Sequence, residues 1–306
     1  KQLGNSPDPL NLIATYGADG VRMGMMLSAP AGNDILFDDK LVEQGRNFCN
    51  KIWNAFRLVK GWEVADIQQP ESSAKAVEWF GAQLNATMAE VQDLFGKFRL
   101  SEALMAIYRL FWDEFSSWYL EMVKPAYQQP IDRATYEATL GYFDTLLRLL
   151  HPFMPFITEE LWQHLQQRAE GESIMLAVLP SVKDADNAII TSMEHAKEVV
   201  AGVRGVRAAK NISPRVELSL NVLGKWDNSL DSVIRKLACL EAINAEACKD
   251  AAAASFMVGT TEFNIPLAST IDVDAELARL EKDLAYYEGF LSSVMKKLAN
   301  ERFVNN

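Results

Sequence analysis

Cationic and amide side chains recur on one side of a predicted helix between residues 40 and 58. The other side is apolar at spacings of three and four residues, which is typical of an amphipathic helix. The polar side consists of Lys40, Glu43, Arg46, Asn47, Asn50, Lys51, Asn54 and Arg57. Lysine and arginine bind phosphates, and asparagine amides read the edges of unstacked bases. This side therefore predicts recognition of single-stranded RNA, and the alternative is an ordinary solvated helix face.

A second basic group lies at the end of a later predicted helix. It consists of Arg204, Arg207, Lys210 and Arg215. Cations near a helix C-terminus are stabilised by the helix dipole, which accounts for the group without any ligand. The same residues could instead contact an RNA backbone.

Other residues that could do chemistry do not form a recognisable site. The isolated cysteines and histidines, whose spacing fits neither a disulfide framework nor a zinc motif, are Cys49, Cys239, Cys248, His151, His164 and His195. We therefore expect no metal site. The stripe of Phe111, Phe115 and Trp118 could stack on bases, but large aromatics on a bundle helix are more often core. His151 is interpreted as a satisfied core or capping histidine.

The net charge of -11 argues against indiscriminate nucleic-acid binding, because an acidic surface repels phosphates. Any RNA contact must therefore be local. The sequence has no run of about 20 apolar residues, as a membrane-spanning helix requires, and it does not open with the pattern of a signal peptide. We expect a cytoplasmic protein without a membrane or DNA partner.

Long amphipathic stripes predict a mainly α fold. Residues 40–168 are expected to form an antiparallel helical bundle, followed by a linker at 169–186 with one short strand candidate at 174–179. A small α+β unit is expected at 187–270, because strand and helix patterns alternate there. Leucines at heptad spacing over 277–298 predict one helix of a coiled coil within 271–306. A lone helix cannot bury such a stripe, so its partner is predicted to lie outside the sequence or on another chain.

Several segments together resemble valyl-tRNA synthetases, a class I aminoacyl-tRNA synthetase family. The segment just after the KMSKS signature of that family is similar to KQLGNSPDPL and the later YGADGVRMGMML. Residues 1–39 are therefore expected to be the end of a catalytic domain. GRNFCNKIWNAFRLV resembles the first bundle helix, and FWDEFSSWYLEMVKP a later one. HPFMPFITEELW, residues 151–162, is shared with isoleucine and leucine relatives, and its Phe153, Phe156 and Leu161 are expected to face the core. LEKDLAYYEGFLSSVMKKLANERFVNN resembles the start of the C-terminal coiled coil of the valine enzymes.

The resemblance implies a parent enzyme that uses ATP with Mg²⁺ to attach valine to its tRNA. Lys1 would be the last lysine of KMSKS, a remnant of the ATP site, and no cofactor is expected for the chain alone. The resemblance places Lys40, Asn47, Lys51 and Leu58 on the face that contacts the anticodon. The family can carry arginine and phenylalanine at the first and last of these positions, so bidentate contact and base stacking are in question there. We expect a monomer that binds valine-accepting tRNA but catalyses no aminoacylation.

Two alternatives remain at this stage. The first is a helical scaffold that binds protein partners through the heptad stripe. The second is the equivalent part of an isoleucyl- or leucyl-tRNA synthetase, which the valine-like coiled-coil segment disfavours.

Overall fold

The computed structural model describes residues 7–29, 37–245, 253–267 and 273–298. Within those residues it is mainly helical, as predicted, and no helix is both long enough and apolar enough to cross a bilayer. Lys1, Cys248 and residues 30–36 lie outside the described residues. The chain divides into two compact units, Lys1–Lys197 with Asn228–Leu237, and Glu198–Asp227 with Ala238–Asn306. This division differs from the predicted boundaries, because it joins residues 7–39 to the bundle and cuts through a helix that was expected to begin the α+β unit.

The first unit is built from helices joined by short turns. They are α1 (Pro9–Tyr16), α2 (Ala18–Leu27), α3 (Asp39–Lys60), α4 (Glu71–Gly96), α5 (Leu100–Arg109), α6 (Leu120–Val123), α7 (Arg133–Leu150) and α8 (Pro155–Leu165). A ten-residue π-helical segment, Leu110–Tyr119, joins α5 to α6 without a break. The two-residue strands β1 (Val64–Ala65) and β2 (Ile131–Asp132) pair in parallel. Helix α9 (Asn187–Ala209) continues from this unit into the second, and α10 (Asp231–Ala238) follows later in the chain.

Local sequence signals account for where the first helices begin. The Asp8 carboxylate accepts a hydrogen bond from the backbone N–H of Leu10 at 3.0 Å, and Pro9 occupies the first helical position of α1. The Asp38 carboxylate caps α3 in the same way, accepting from the backbone N–H of Lys40 at 2.9 Å. These caps fix the start of the helix that carries the polar face.

Helices α2 and α3 cross at unusually close range through glycines. A Cβ added to Gly24 would lie 2.6 Å from the Cα of Val42, and one added to Gly20 would lie 3.0 Å from the backbone nitrogen of Arg46. A Cβ on Gly45 would press against the carbonyl oxygen of Gly20. Such contacts are with backbone and cannot be relieved by a rotamer change, so α3 is held firmly against α2.

Aromatic rings fill the centre of the bundle. The fully buried rings belong to Phe48, Trp79, Phe80, Phe111, Phe115, Tyr119 and Phe143. Many meet edge to face or tilted, as for Phe80 and Tyr119, whose centroids are 4.9 Å apart. The prediction that the stripe of Phe111, Phe115 and Trp118 belongs to the core is confirmed for Phe111 and Phe115, which are fully buried, whereas Trp118 is half-buried.

The segment at 151–162 was only partly predicted. Pro155 begins α8, and Phe153 and Leu161 are buried as expected, but the Phe156 side chain is 64% exposed. His151 caps the end of α7, and its Nδ1 lies 2.7 Å from the hydroxyl oxygen of Thr158. Burial lowers the pKa of His151, with the nearby carboxylates of Glu159 and Asp19 opposing that shift. The interpretation of His151 as a satisfied structural histidine is thus confirmed.

The prediction of a strand at 174–179 is wrong. Ile174–Leu176 is a short 3-10 turn, and the Ser173 hydroxyl oxygen accepts from the backbone N–H of Met175 at 3.2 Å. The Val178 carbonyl, which could accept from a neighbouring strand, instead accepts from the Arg148 guanidinium at 2.6 Å. Ile174 is buried, whereas Met175, Leu176 and Val178 are more than three-quarters exposed, and the segment joins no sheet.

The second unit contains a four-stranded sheet in the order β4-β3-β6-β5. Its strands are β3 (Leu218–Leu223), β4 (Leu240–Asn244), β5 (Ala253–Val258) and β6 (Thr261–Pro266). Strands β3 and β4 are parallel, whereas β6 is antiparallel to both β3 and β5. The sequence predicts strands at 216–222, 239–245, 254–258 and 262–266, because each stretch combines β-branched or apolar residues with flanking turn signals. All four strands lie within about two residues of these positions.

Helix α11 (Val273–Leu298) forms where the heptad pattern predicted it. Leu277, Leu284 and Leu291, which share the heptad stripe, are each more than half exposed. Whether this stripe pairs with a second helix stays a prediction.

Candidate nucleic-acid interface

Helix α3 presents five of the predicted contact residues on one narrow face. Residues 7, 11, 14 and 18 positions after Lys40 return to nearly the same direction at about 3.6 residues per turn. They are Asn47, Lys51, Asn54 and Leu58, and we call them, with Lys40, the α3 face. Lys40, Asn47 and Asn54 are exposed, Lys51 is half-buried, and Leu58 is 38% exposed.

The polar groups of the α3 face are not used inside the protein. Throughout the described part of the chain, the side chains of Lys40, Asn47, Lys51 and Asn54 have no hydrogen bond or ion pair. Asn50 and Arg57 are likewise exposed and unbonded there, and they lie on the flank of the same face. Two ammonium groups and several amides are therefore available to a ligand with acceptor atoms.

Arg46 has a different role from its neighbours. Its guanidinium donates to the backbone carbonyl of Thr15 at 3.2 Å, at the end of α1. This bond ties α3 to the preceding helices. Arg46 keeps other N–H donors, and it points in nearly the same direction as Arg57, which follows 11 residues later on the flank of the α3 face.

An aromatic pair that sequence reasoning did not assign to this site lies beside it. The Lys51 ammonium stands over the ring of Trp112, 5.2 Å from its centroid. Trp112 in turn stacks on Tyr108, with centroids 5.5 Å apart and planes 26° apart. The signal in the sequence was the i, i+4 spacing of two aromatics, which indicates only that they share a helix side.

The second basic group is not a continuous surface. Arg207 is only 5% exposed, and its guanidinium donates to the carbonyls of Ser213 at 2.9 Å, Ala238 at 2.9 Å and Cys239 at 3.0 Å. A cation committed to three carbonyls is a structural group, so we leave Arg207 out of any RNA surface. Arg204 and Arg215 are exposed and Lys210 is half-buried. These three remain candidates within the second unit.

Nothing in the described ranges resembles a catalytic or metal centre. No group of three potential metal ligands occurs among those residues. Burial raises the pKa of the half-buried Cys49 thiol to about 12, with Asp19 adding to the shift, so its thiolate form is disfavoured at neutral pH.

Two family models match the chain. Residues 77–222 match the anticodon-binding domain of tRNA ligase, and residues 272–306 match the valyl tRNA synthetase tRNA binding arm. The first match spans α4 to β3, so the α3 face precedes it. The second match contains α11.

Curated relatives match along the entire chain. The valine–tRNA ligase of Parabacteroides distasonis is 63% identical over 306 residues, and that of Phocaeicola vulgatus is 64% identical over the same length. The valine–tRNA ligase of Christiangramia forsetii is 50% identical over 309 aligned positions. In each case all of this chain is covered but only 35% of the relative. The chain thus spans about a third of the length of the enzymes that it matches.

Proposed function

Since the chain belongs to the valine–tRNA ligase family, we propose that it is the C-terminal, tRNA-binding part of such an enzyme and that the α3 face contacts the anticodon. The observation that carries the proposal is the row of unbonded cations and amides on that face. An anticodon loop offers phosphates and unstacked base edges together, which is the ligand that lysine and asparagine in alternation would suit.

The net charge of the chain makes this local arrangement important. With a net charge of -11, the chain repels a polyanion except where cations cluster without forming ion pairs to acidic side chains. Lys40, Lys51 and Arg57 supply three such cations along one side of α3. Affinity is therefore expected to be modest and to fall steeply with salt.

Two positions on the α3 face shape how a base would be held. Lys40 offers a point charge where the family can carry arginine, so it cannot form a bidentate pair. Leu58 offers an apolar surface without an aromatic ring, which weakens stacking on a base. Asn47 and Lys51 are then the residues on which base-edge recognition depends.

The parent enzyme is proposed to activate valine with ATP and Mg²⁺ and to transfer it to tRNA in the cytoplasm. Lys1 would contribute to the ATP site of that enzyme. The chain alone is proposed to bind tRNA as a monomer without turnover, and valine-dependent pyrophosphate exchange by the isolated chain would contradict this. Arg204, Lys210 and Arg215 are proposed to touch the tRNA backbone.

A titration of the chain with fluorescently labelled valine tRNA tests the assignment of the α3 face. Changing both Lys51 and Arg57 to glutamate should abolish measurable binding, because two phosphate-binding cations become repulsive. The matched control is Lys183→Glu, an exposed lysine whose side chain is also unbonded among the described residues. It changes the net charge by half as much and should weaken binding only slightly. Equal affinity of the double variant and the control would remove the anticodon assignment.

A second candidate function is a protein-interaction scaffold, favoured by the exposed heptad stripe of Leu277, Leu284 and Leu291. Sedimentation at two protein concentrations distinguishes it. A scaffold would associate more at the higher concentration, and Leu284→Glu would abolish that association. The tRNA-binding proposal expects a monomer at both concentrations.

A further inference from the structure

Lys51 is the one residue of the α3 face whose charged group rests on another element. Its ammonium lies 5.2 Å from the centroid of Trp112, and that ring also stacks on Tyr108. Attraction between a cation and an aromatic face orients the ammonium but leaves its charge unneutralised. The lysine is therefore held in place while remaining able to bind an anion.

A second lysine in the same unit shows what a purely structural arrangement looks like. Lys197 is 7% exposed, and its ammonium lies 4.8 Å from the centroid of Trp79. Unlike Lys51, it also binds two carboxylates, those of Glu114 at 2.5 Å and Glu194 at 2.7 Å. Its charge is therefore neutralised by carboxylates within the fold. Lys51 has the aromatic support without the carboxylates, so no side chain among the described residues neutralises its charge.

The winding of the chain around Trp112 is also unusual. Trp112 belongs to the ten-residue π-helical segment, and the Ser117 hydroxyl donates to the Trp112 carbonyl at 2.8 Å, five residues earlier. π-helical turns are rare and are found frequently at functional sites. Here the segment keeps Phe111 and Phe115 fully buried and leaves Trp112 half-buried beside Lys51.

We propose that Trp112 is a positioning residue for RNA recognition, which holds the Lys51 ammonium at the α3 face before the anticodon loop arrives. A free lysine side chain loses rotamer freedom when it binds, and a side chain that is already oriented loses less. Trp112 thus raises affinity without itself having to touch RNA. The inference rests on the proposed function of the α3 face.

A double-mutant cycle on tRNA affinity tests the inference. The variants are Lys51→Met, Trp112→Met and the pair, with Trp112→Tyr as the conservative variant that keeps an aromatic face. Loss of the ring should weaken binding by about threefold to fivefold when Lys51 is present, as expected for an exposed cation-π contact. The same change should have no effect in the Lys51→Met background, and Trp112→Tyr should retain most of the affinity.

The possible outcomes separate this inference from the proposed function. If Lys51→Met weakens binding but Trp112→Met does not, or if the two losses simply multiply, positioning by Trp112 is wrong while the α3 face stands. If Lys51→Met has no effect, the assignment of the α3 face fails first and the inference with it. Thermal midpoints of all variants check that folding is intact. Should Trp112→Met not fold, the cycle with Trp112→Phe, whose ring attracts a cation less strongly, should give a smaller loss with the same dependence on Lys51.

Discussion

Replacing Gly45 with alanine should destabilise the bundle, although the same change elsewhere in a helix stabilises. Gly45 lies on α3, where an added Cβ would meet the Gly20 carbonyl oxygen and lie 3.0 Å from the Gly20 Cα. Relieving that overlap requires α2 and α3 to move apart, which costs about 1–3 kcal/mol or more. Alanine gains about 1 kcal/mol over glycine in helix propensity. Because the added Cβ meets backbone atoms, which no rotamer change can move away, we expect the upper part of the cost, and the net loss is then up to about 2 kcal/mol.

Gly141→Ala is the matched control, because Gly141 lies inside α7 and a Cβ there meets nothing within 4 Å. It should stabilise by about 1 kcal/mol. Thermal unfolding followed by tryptophan fluorescence reports mainly on the first unit, which holds six of the seven tryptophans. A change of 1 kcal/mol shifts the midpoint by about 2–4 °C in a unit of this size. If both variants raised the midpoint, the close packing of α2 on α3 would be refuted.

Four further predictions concern single residues. Asp144→Ala should cost about 3–5 kcal/mol of stability in urea denaturation, because the carboxylate accepts from Trp162 Nε1 at 2.7 Å and pairs with two arginines that would be left without it. Burial lowers the pKa of His151, so the folded state favours its neutral form; stability should be full above pH 6.5 and fall as the pH drops below it, and His151→Gln should flatten that dependence between pH 7.5 and 5.5. Cys49, with its pKa raised to about 12, should resist iodoacetamide at pH 8 until the protein is unfolded, as read by peptide mass spectrometry. Leu58→Phe should tighten tRNA binding severalfold by adding a stacking surface, and unchanged affinity would mean that no base reaches this position.

Local features of the fold could be read from the sequence because their causes are local. The amphipathic stripes and the strand patterns depend on residues within a few positions of one another. The polar side of α3 follows from helical periodicity, and the resemblance to valyl-tRNA synthetases is what selects Lys40, Asn47, Lys51 and Leu58. The side chains on it could therefore be named before the fold was known.

Features that depend on distant residues could not be found this way. Arg207 looks like any helix-terminal cation until the carbonyls of Ala238 and Cys239, more than 30 residues away, are seen to bind it. The place of Trp112 beside Lys51 depends on π-helical winding and on the packing of two helices. Residues 174–179 have the apolar content of a strand, but the decisive fact is that Arg148 takes the carbonyl of Val178. In each case a tertiary contact overrides the local pattern.

The most direct test of the α3 face as an anticodon reader compares two tRNAs that differ only in the anticodon. Affinity of the unaltered chain should fall at least tenfold when the anticodon bases of valine tRNA are replaced, since each lost base-edge contact costs about 1–3 kcal/mol by analogy with DNA bases. With Asn47 changed to alanine and Lys51 to methionine together, both tRNAs should bind equally weakly. If the double variant still discriminated between them, the anticodon would be read elsewhere and the account of the α3 face would be contradicted.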